Sequence, residues 1–213
     1  VNLWALAAVS QDSGVTEPRK GIARDTAVGV SFDTFGSPRY LTTERIHRLR
    51  DVAAAAPYDT IVILINTSRY GGAGIYNQFA IFPSDNLYDE YVFLHEFGHS
   101  FGALGDEYYS SGVAYEEFYP AGVEPWEPNI TALLDPANPK WGAQIPAGTP
   151  CPTPEDRERY RPHDVGCFEG AGYQAKGLYR PALDCLMFSK GNIGLCPVCA
   201  AAVARMVEHF APR

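Results

Sequence analysis

Residues 95–106 read His95-Glu96-Phe97-Gly98-His99-Ser100-Phe101-Gly102-Ala103-Leu104-Gly105-Asp106, and this stretch decides where the principal helix lies and what it carries. On a helix, side chains four residues apart leave the same face, so the His95 and His99 imidazoles can close on one metal ion, for which zinc is the best fit. Glu96, beside the first ligand, is placed to reach a metal-bound water rather than the metal, which is a general-base position. Gly102, three residues past His99, can take the positive φ that ends a helix and turns the chain, and Asp106 is the first oxygen ligand after that turn. A bare H-E-x-x-H occurs by chance in many chains. Here paired histidines, an intervening Glu, and a Gly followed by an acid coincide.

Working outward, Leu87, Tyr91, Val92 and Leu94 form an apolar stripe at near-helical spacing, with Ser84 or Asp85 as candidate caps, so the motif falls on a helix. Before it, Ile75–Phe82 reads as one strand ended by Pro83, after a loosening Gly71-Gly72-Ala73-Gly74 run. Ile61–Ile65 is an unbroken β-branched and Leu run, expected of a central strand covered on both faces. Leu41–Ala56 predicts a helix with Ile46, Leu49, Val52, Ala53 and Ala56 on one face, Thr42 or Thr43 as cap and Pro57 as terminator. Ala27–Phe32 and Asn2–Val9 read as further strands, and Pro197–Phe210 as an amphipathic helix with Pro197 in its first turn. The expected fold class is α/β in the α+β sense, a mixed sheet with one site-bearing helix. Between 112 and 184 few periodic segments occur, and a loop-rich stretch of that length calls for a functional or covalent reason.

The chain of 213 residues, 46% hydrophobic, is long enough for one sizeable core. We expect a single domain over 1–213, with an N-terminal sheet and helix lobe (1–105), a C-terminal lobe (106–213) and a monomeric state. The formal charge of −8, from 25 acids against 17 bases, offers no basic patch for a nucleic-acid backbone. No apolar run approaches the roughly 18 residues of a membrane span, and no signal peptide opens the chain. Because Asn2–Val9 already reads as a strand, an upstream segment, including an export signal, is expected to precede it.

All 5 cysteines lie in the C-terminal half, at 151, 167, 185, 196 and 199. That clustering suggests local staples, such as Cys151 with Cys167 and Cys185 with Cys196 or Cys199, and an oxidising compartment. One thiol is then left over. Cys196-Pro197-Val198-Cys199 also fits a redox pair or half of a second zinc site, though no second C-x-x-C completes a four-cysteine cage. Asn66-Thr67-Ser68 and Asn129-Ile130-Thr131 match the glycosylation acceptor pattern.

His-Glu-x-x-His-x-x-Gly with an acid after the turn, and a downstream methionine in Cys185-Leu186-Met187, resembles the metzincin clan of zinc endopeptidases. The fuller run HEFGHSFGALGDEY (95–108), with INTSRYGGAG (65–74), FDTFG (32–36) and the CLM (185–187) and CPVC (196–199) elements, resembles the bacterial immunoglobulin A peptidase family within that clan over most of the chain. The resemblance implies a metzincin-like catalytic domain, with a twisted sheet, a lower edge strand that binds substrate, an active-site helix and a Met-turn beneath the metal. It also implies a secreted or cell-surface protein. In the common metzincin spacing the third ligand falls at Gly105, which has no side chain. The resemblance favours Asp106, and Glu107 is the alternative one position on. Met187 would floor the site by analogy, and fits a plain core methionine equally well. His163 and His209 read as bystanders.

Three protein ligands leave a fourth position for water, whose pKa a catalytic zinc lowers to about 7. Glu96 then takes the proton and passes it to the departing amine as a peptide bond is hydrolysed. A protein or peptide substrate chain is expected to lie along Tyr76–Phe82 by strand addition. Tyr108, Tyr109 and Tyr179 are candidate oxyanion donors, although aromatic packing explains each as well. Two rival readings stand: a binding or adhesion module whose metal is closed off by acids at both 106 and 107, and hydrolysis of a non-peptide amide.

Overall fold

A computed structural model of the protein describes residues 2–110, 118–191 and 193–211. The fold is mixed α+β, and its helices and small open sheets divide into two compact units, Val1–Ser100 and Phe101–Arg213. Positions 112–117 of the loop-rich stretch lie outside the described residues.

In the first unit, β1 (Val30–Ser31) pairs antiparallel with β2 (Thr42–Thr43), and α1 (Ile46–Ala53) follows. The expected helix from Leu41 is shorter because Thr42 and Thr43 are drawn into strand pairing, while the Thr43 hydroxyl still accepts the Arg45 N–H at 3.0 Å. Asn2–Val9 is not a strand. Leu3 and Val9 stand 94% and 84% exposed, and alternating apolar residues without a partner strand have no ladder to join.

The three-stranded sheet has the order β3-β5-β4, with β3 (Val62–Ile65) parallel to β5 (Phe79–Pro83) and β4 (Ala73–Ile75) antiparallel to it. Two expectations change here. Ile61–Ile65 is not the central strand: β3 lies at the sheet edge, with Ile63 and Ile65 buried and Val62 and Leu64 exposed. The strand between two neighbours is β5, whose Phe79, Ala80 and Ile81 are buried on both faces. Ile75–Phe82 is also not one strand but a hairpin. Asn77 takes φ 56°, and the Gln78 N–H closes on the Ile75 carbonyl at 2.9 Å, as the left-handed tolerance of Asn allows. The core beneath is built from Val30, Phe32, Leu41, Leu49, Ile63, Phe79 and Ile81, and each such side chain, fully buried, contributes about 1.5–3 kcal/mol.

The motif helix, α2 (Asp89–Ser100), runs from this sheet. It starts later than Ser84 or Asp85: Asn86 forms the turn before it, its side-chain oxygen accepting the Tyr88 N–H at 2.9 Å and its carbonyl the Asp89 N–H at 3.0 Å. The buried face is Val92, His95 and Gly98, whereas Leu87 and Leu94 are exposed. The apolar stripe read from sequence is thus rotated, because the inward face has been given to the histidine.

The second unit carries β6 (Phe168–Ala171), β7 (Gln174–Arg180) and α3 (Pro197–Phe210). The hairpin β6–β7 lies inside the stretch that sequence left irregular; glycines at 170, 172 and 177, all at positive φ, break the period-two pattern. Cys151 and Cys167 form a disulfide beside it, as their spacing suggested. Helix α3 has the expected bounds, with Pro197 in its first turn, Val198, Cys199 and Ala202 buried, and Phe210 stacked on Phe101 at 5.9 Å. Asn129, one of the two acceptor sequons, is fully buried and so unavailable for glycosylation in the folded chain; Asn66 is exposed. Among the described residues no helix is long and apolar enough to cross a membrane.

Candidate metal centre

Helix α2 brings the two histidines together. Their Nε2 atoms lie 3.1 Å apart with the rings at 89°, close to the roughly 3.3 Å separating two nitrogens on a tetrahedral zinc with bonds of about 2.0–2.1 Å. His95 Nδ1 sits 3.3 Å from the Tyr91 hydroxyl, one helical turn back. A partner on Nδ1 fixes the ring and leaves Nε2 for a metal. Tyr91, read from sequence as part of the apolar stripe, thus has a polar task as well.

The sheet reaches this face through two glycines. A Cβ on Gly72 would meet the Glu96 Oε1 at 2.6 Å, and one on Gly74 would strike the Glu96 carbonyl and stand 2.6 Å from the His99 Cβ. Strand β4 therefore lies directly against Glu96 and His99, an approach only glycine allows. Its hairpin also holds the helix end, since the Asn77 N–H donates to the Ser100 carbonyl at 2.9 Å. The edge strand beside Glu96 is β4, not Tyr76–Phe82, whose later half is the doubly paired β5.

Asp106 belongs to the second unit and is held there by the hairpin turn. The Gly172 N–H donates to its carbonyl at 2.9 Å, and the Tyr173 hydroxyl donates to its Oδ2. Burial, together with the Asp106 charge, pushes the Tyr173 phenol far above its ordinary pKa, so it remains a donor. Sequence reasoning missed Tyr173, which lies 67 positions from its acid in a segment without a period to flag it. The turn into Asp106 also differs from expectation: the left-handed residue is Ala103 (φ 58°), and Gly102 is not among the positive-φ glycines. Gly105, which stands where a metzincin ligand is common, is clamped by one amide. Asn129 Oδ1 accepts its N–H at 2.8 Å and Asn129 Nδ2 donates to its carbonyl at 2.9 Å.

Glu107 faces a different group. Fully buried, it lies with Oε1 3.0 Å from Cys199 Sγ and 2.9 Å from Asn129 Nδ2, and its N–H donates to the Met187 carbonyl at 2.9 Å. Burial drives its carboxyl well above the usual range. Cys185, Cys196 and Cys199 are free thiols, so the expected disulfide from Cys185 does not form. Met187 is completely buried. Of the tyrosines considered as donors, Tyr108 packs on Tyr173 at 5.4 Å, Tyr109 on Phe188 at 5.9 Å, and Tyr179 pairs within the β6–β7 hairpin. His209 is exposed near the end of α3, and His163 lies in a loop.

Comparison with known families places the chain among the peptidases. Residues 1–162 and 156–207 match the family described as IgA Peptidase M64, and the chain belongs to that family. No curated protein matches the chain.

Proposed function

We propose that this protein is a zinc-dependent endopeptidase that hydrolyses peptide bonds of protein substrates, with His95, His99 and Asp106 as metal ligands and Glu96 as general base. The observation that carries the reading is the pair of imidazole nitrogens at 3.1 Å on a helix whose Glu96 lies against the edge strand β4. Two nitrogens and one carboxylate oxygen are a donor set that zinc accepts while keeping a position open. When bound, the metal supplies the Lewis acidity that makes water nucleophilic and steadies the developing oxyanion.

The protein's own groups do the rest. Substrate main chain adds to β4 by backbone hydrogen bonds, which sets the scissile carbonyl beside Glu96. Glu96 takes the proton of the attacking water and delivers it to the leaving amine. Tyr91 and Tyr173 hold His95 and Asp106 in the required orientation. The closed-site alternative needs Glu107 at the histidines, and its carboxyl is engaged by Asn129 and Cys199 instead. We also propose an extracytoplasmic location, supported by the Cys151–Cys167 disulfide, a bond that persists in oxidising compartments.

Glu96→Gln tests the reading. We expect it to keep metal and fold while losing cleavage of a protein panel by about 100-fold or more, the scale of a lost general base. Undiminished cleavage would sink the assignment, as would wild-type cleavage that survives complete metal removal.

A further inference from the structure

Outside the candidate catalytic centre the second unit holds a cluster that this function does not use. We propose that Glu107, Cys185, Cys196 and Cys199 bind a second, structural zinc ion that locks the segment after Asp106 to the Cys185–Met187 turn and to the start of α3. Their four ligand atoms lie within 4.8 Å of one another, and all four residues are completely buried. Sulfur vertices of a tetrahedral zinc with bonds of about 2.3 Å stand roughly 3.8 Å apart, so modest side-chain rotation closes the group on an ion.

Three details favour a metal over loosely packed thiols. The Glu107 Oε1 is fixed by Asn129, while its Oε2 is buried without a hydrogen-bond partner, a costly state that a cation relieves. The Cys196 N–H donates to Cys185 Sγ at 3.3 Å, a contact that suits a thiolate better than a neutral thiol. Cys196 caps α3 and Cys199 lies in its first turn, where the helix N-terminus stabilises negative sulfur. A disulfide between any two of the three thiols would leave the third thiol and the carboxylate uncompensated, whereas one ion satisfies all four. With every vertex taken by protein, the site is structural. The missing half of the cage, sought as a second C-x-x-C, comes from a single cysteine and a glutamate far away in sequence. The arrangement also gives a reason for the acid pair: Asp106 and Glu107 point to different partners, so fixing one positions the other.

This inference stands apart from the catalytic reading, and the experiment separates them. In full-length protein carrying His95→Ala and His99→Ala, we expect one zinc per chain by elemental analysis, with X-ray absorption showing sulfur neighbours at about 2.3 Å. Replacement by cobalt should give thiolate charge-transfer absorption. In that background Glu107→Gln should weaken zinc binding by at least about tenfold while the charge-transfer bands persist. A double variant that is folded by circular dichroism yet holds no zinc would overturn the proposal. So would zinc without sulfur neighbours, a disulfide joining two of the three cysteines in the native protein, or unchanged affinity in Glu107→Gln.

Discussion

One turn anchors Asp106 through the Gly172 N–H and the Tyr173 hydroxyl. Removing the hydroxyl should leave the packing of the ring on Tyr108 intact. Tyr173→Phe is therefore expected to fold normally but to need about 10–100-fold more zinc for half-maximal cleavage, the usual cost of losing an outer hydrogen bond to a ligand; titration of metal-depleted enzyme checks this. Ala103 is the opposite case, a side chain where none is wanted. At φ 58° its Cβ opposes the following carbonyl, so Ala103→Gly should stabilise the protein by about 1 kcal/mol, read as a higher urea midpoint. A lower midpoint would mean that the turn is not left-handed in solution.

Among elements, the contact between β4 and α2 matters most to the site, because it sets the distance between a sheet edge and the two side chains beside it. Gly74→Ala places a methyl group on the Glu96 carbonyl and the His99 Cβ. We expect a loss of about 1–3 kcal/mol from overpacking, with cleavage falling further than stability because the histidine shifts. Gly194→Ala, where the added Cβ meets nothing within 4 Å, is the matched control and should change stability by less than about 0.5 kcal/mol. Equal behaviour of the two variants would show that β4 does not press on the helix. Hairpins explain most of what sequence misread at this scale. A three-residue turn at Tyr76–Gln78 splits one apolar run into two strands and moves the burial maximum from β3 to β5. Period and apolarity alone do not distinguish a long strand from a hairpin when the turn residues are Tyr, Asn and Gln.

For the molecule as a whole, pH dependence follows from the ionic hub of the first unit. Arg69 pairs with Glu17 at 2.6 Å and with Asp33 at 3.1 Å, and its guanidinium lies 4.0 Å over the Phe32 ring. Glu17 is held below its ordinary value chiefly by its hydrogen bond from Lys20, with Arg69 adding to it. Burial raises Asp33, but the Arg19 N–H and Arg69 outweigh it and leave its pKa lowered. Carboxylates depressed in the folded state contribute stability that is present above their unfolded values, 4.5 and 3.8, and is lost as pH falls through the folded ones. Thermal unfolding followed from pH 7 downward should therefore show a midpoint that drops below about pH 4.5, and Arg69→Met should flatten that drop. An unchanged slope in the variant would remove the hub from the acid response.

The sequence by itself determined the helix that carries His95, Glu96 and His99, the roles open to those residues and Asp106, and the bounds of α3, and it offered Cys151–Cys167 among the pairings, because each depends on residues at short, fixed spacing. It determined the family for the same reason, since the motifs are local strings. Only the tertiary structure decided which strand is central and that β4 is the edge beside Glu96. It alone sent Glu107 to the cysteines and brought Tyr173 and Asn129 to the turn around Asp106. Those outcomes depend on partners tens of residues apart, brought together by hairpin closure and by the need of each buried polar group for a partner, and no local period encodes that.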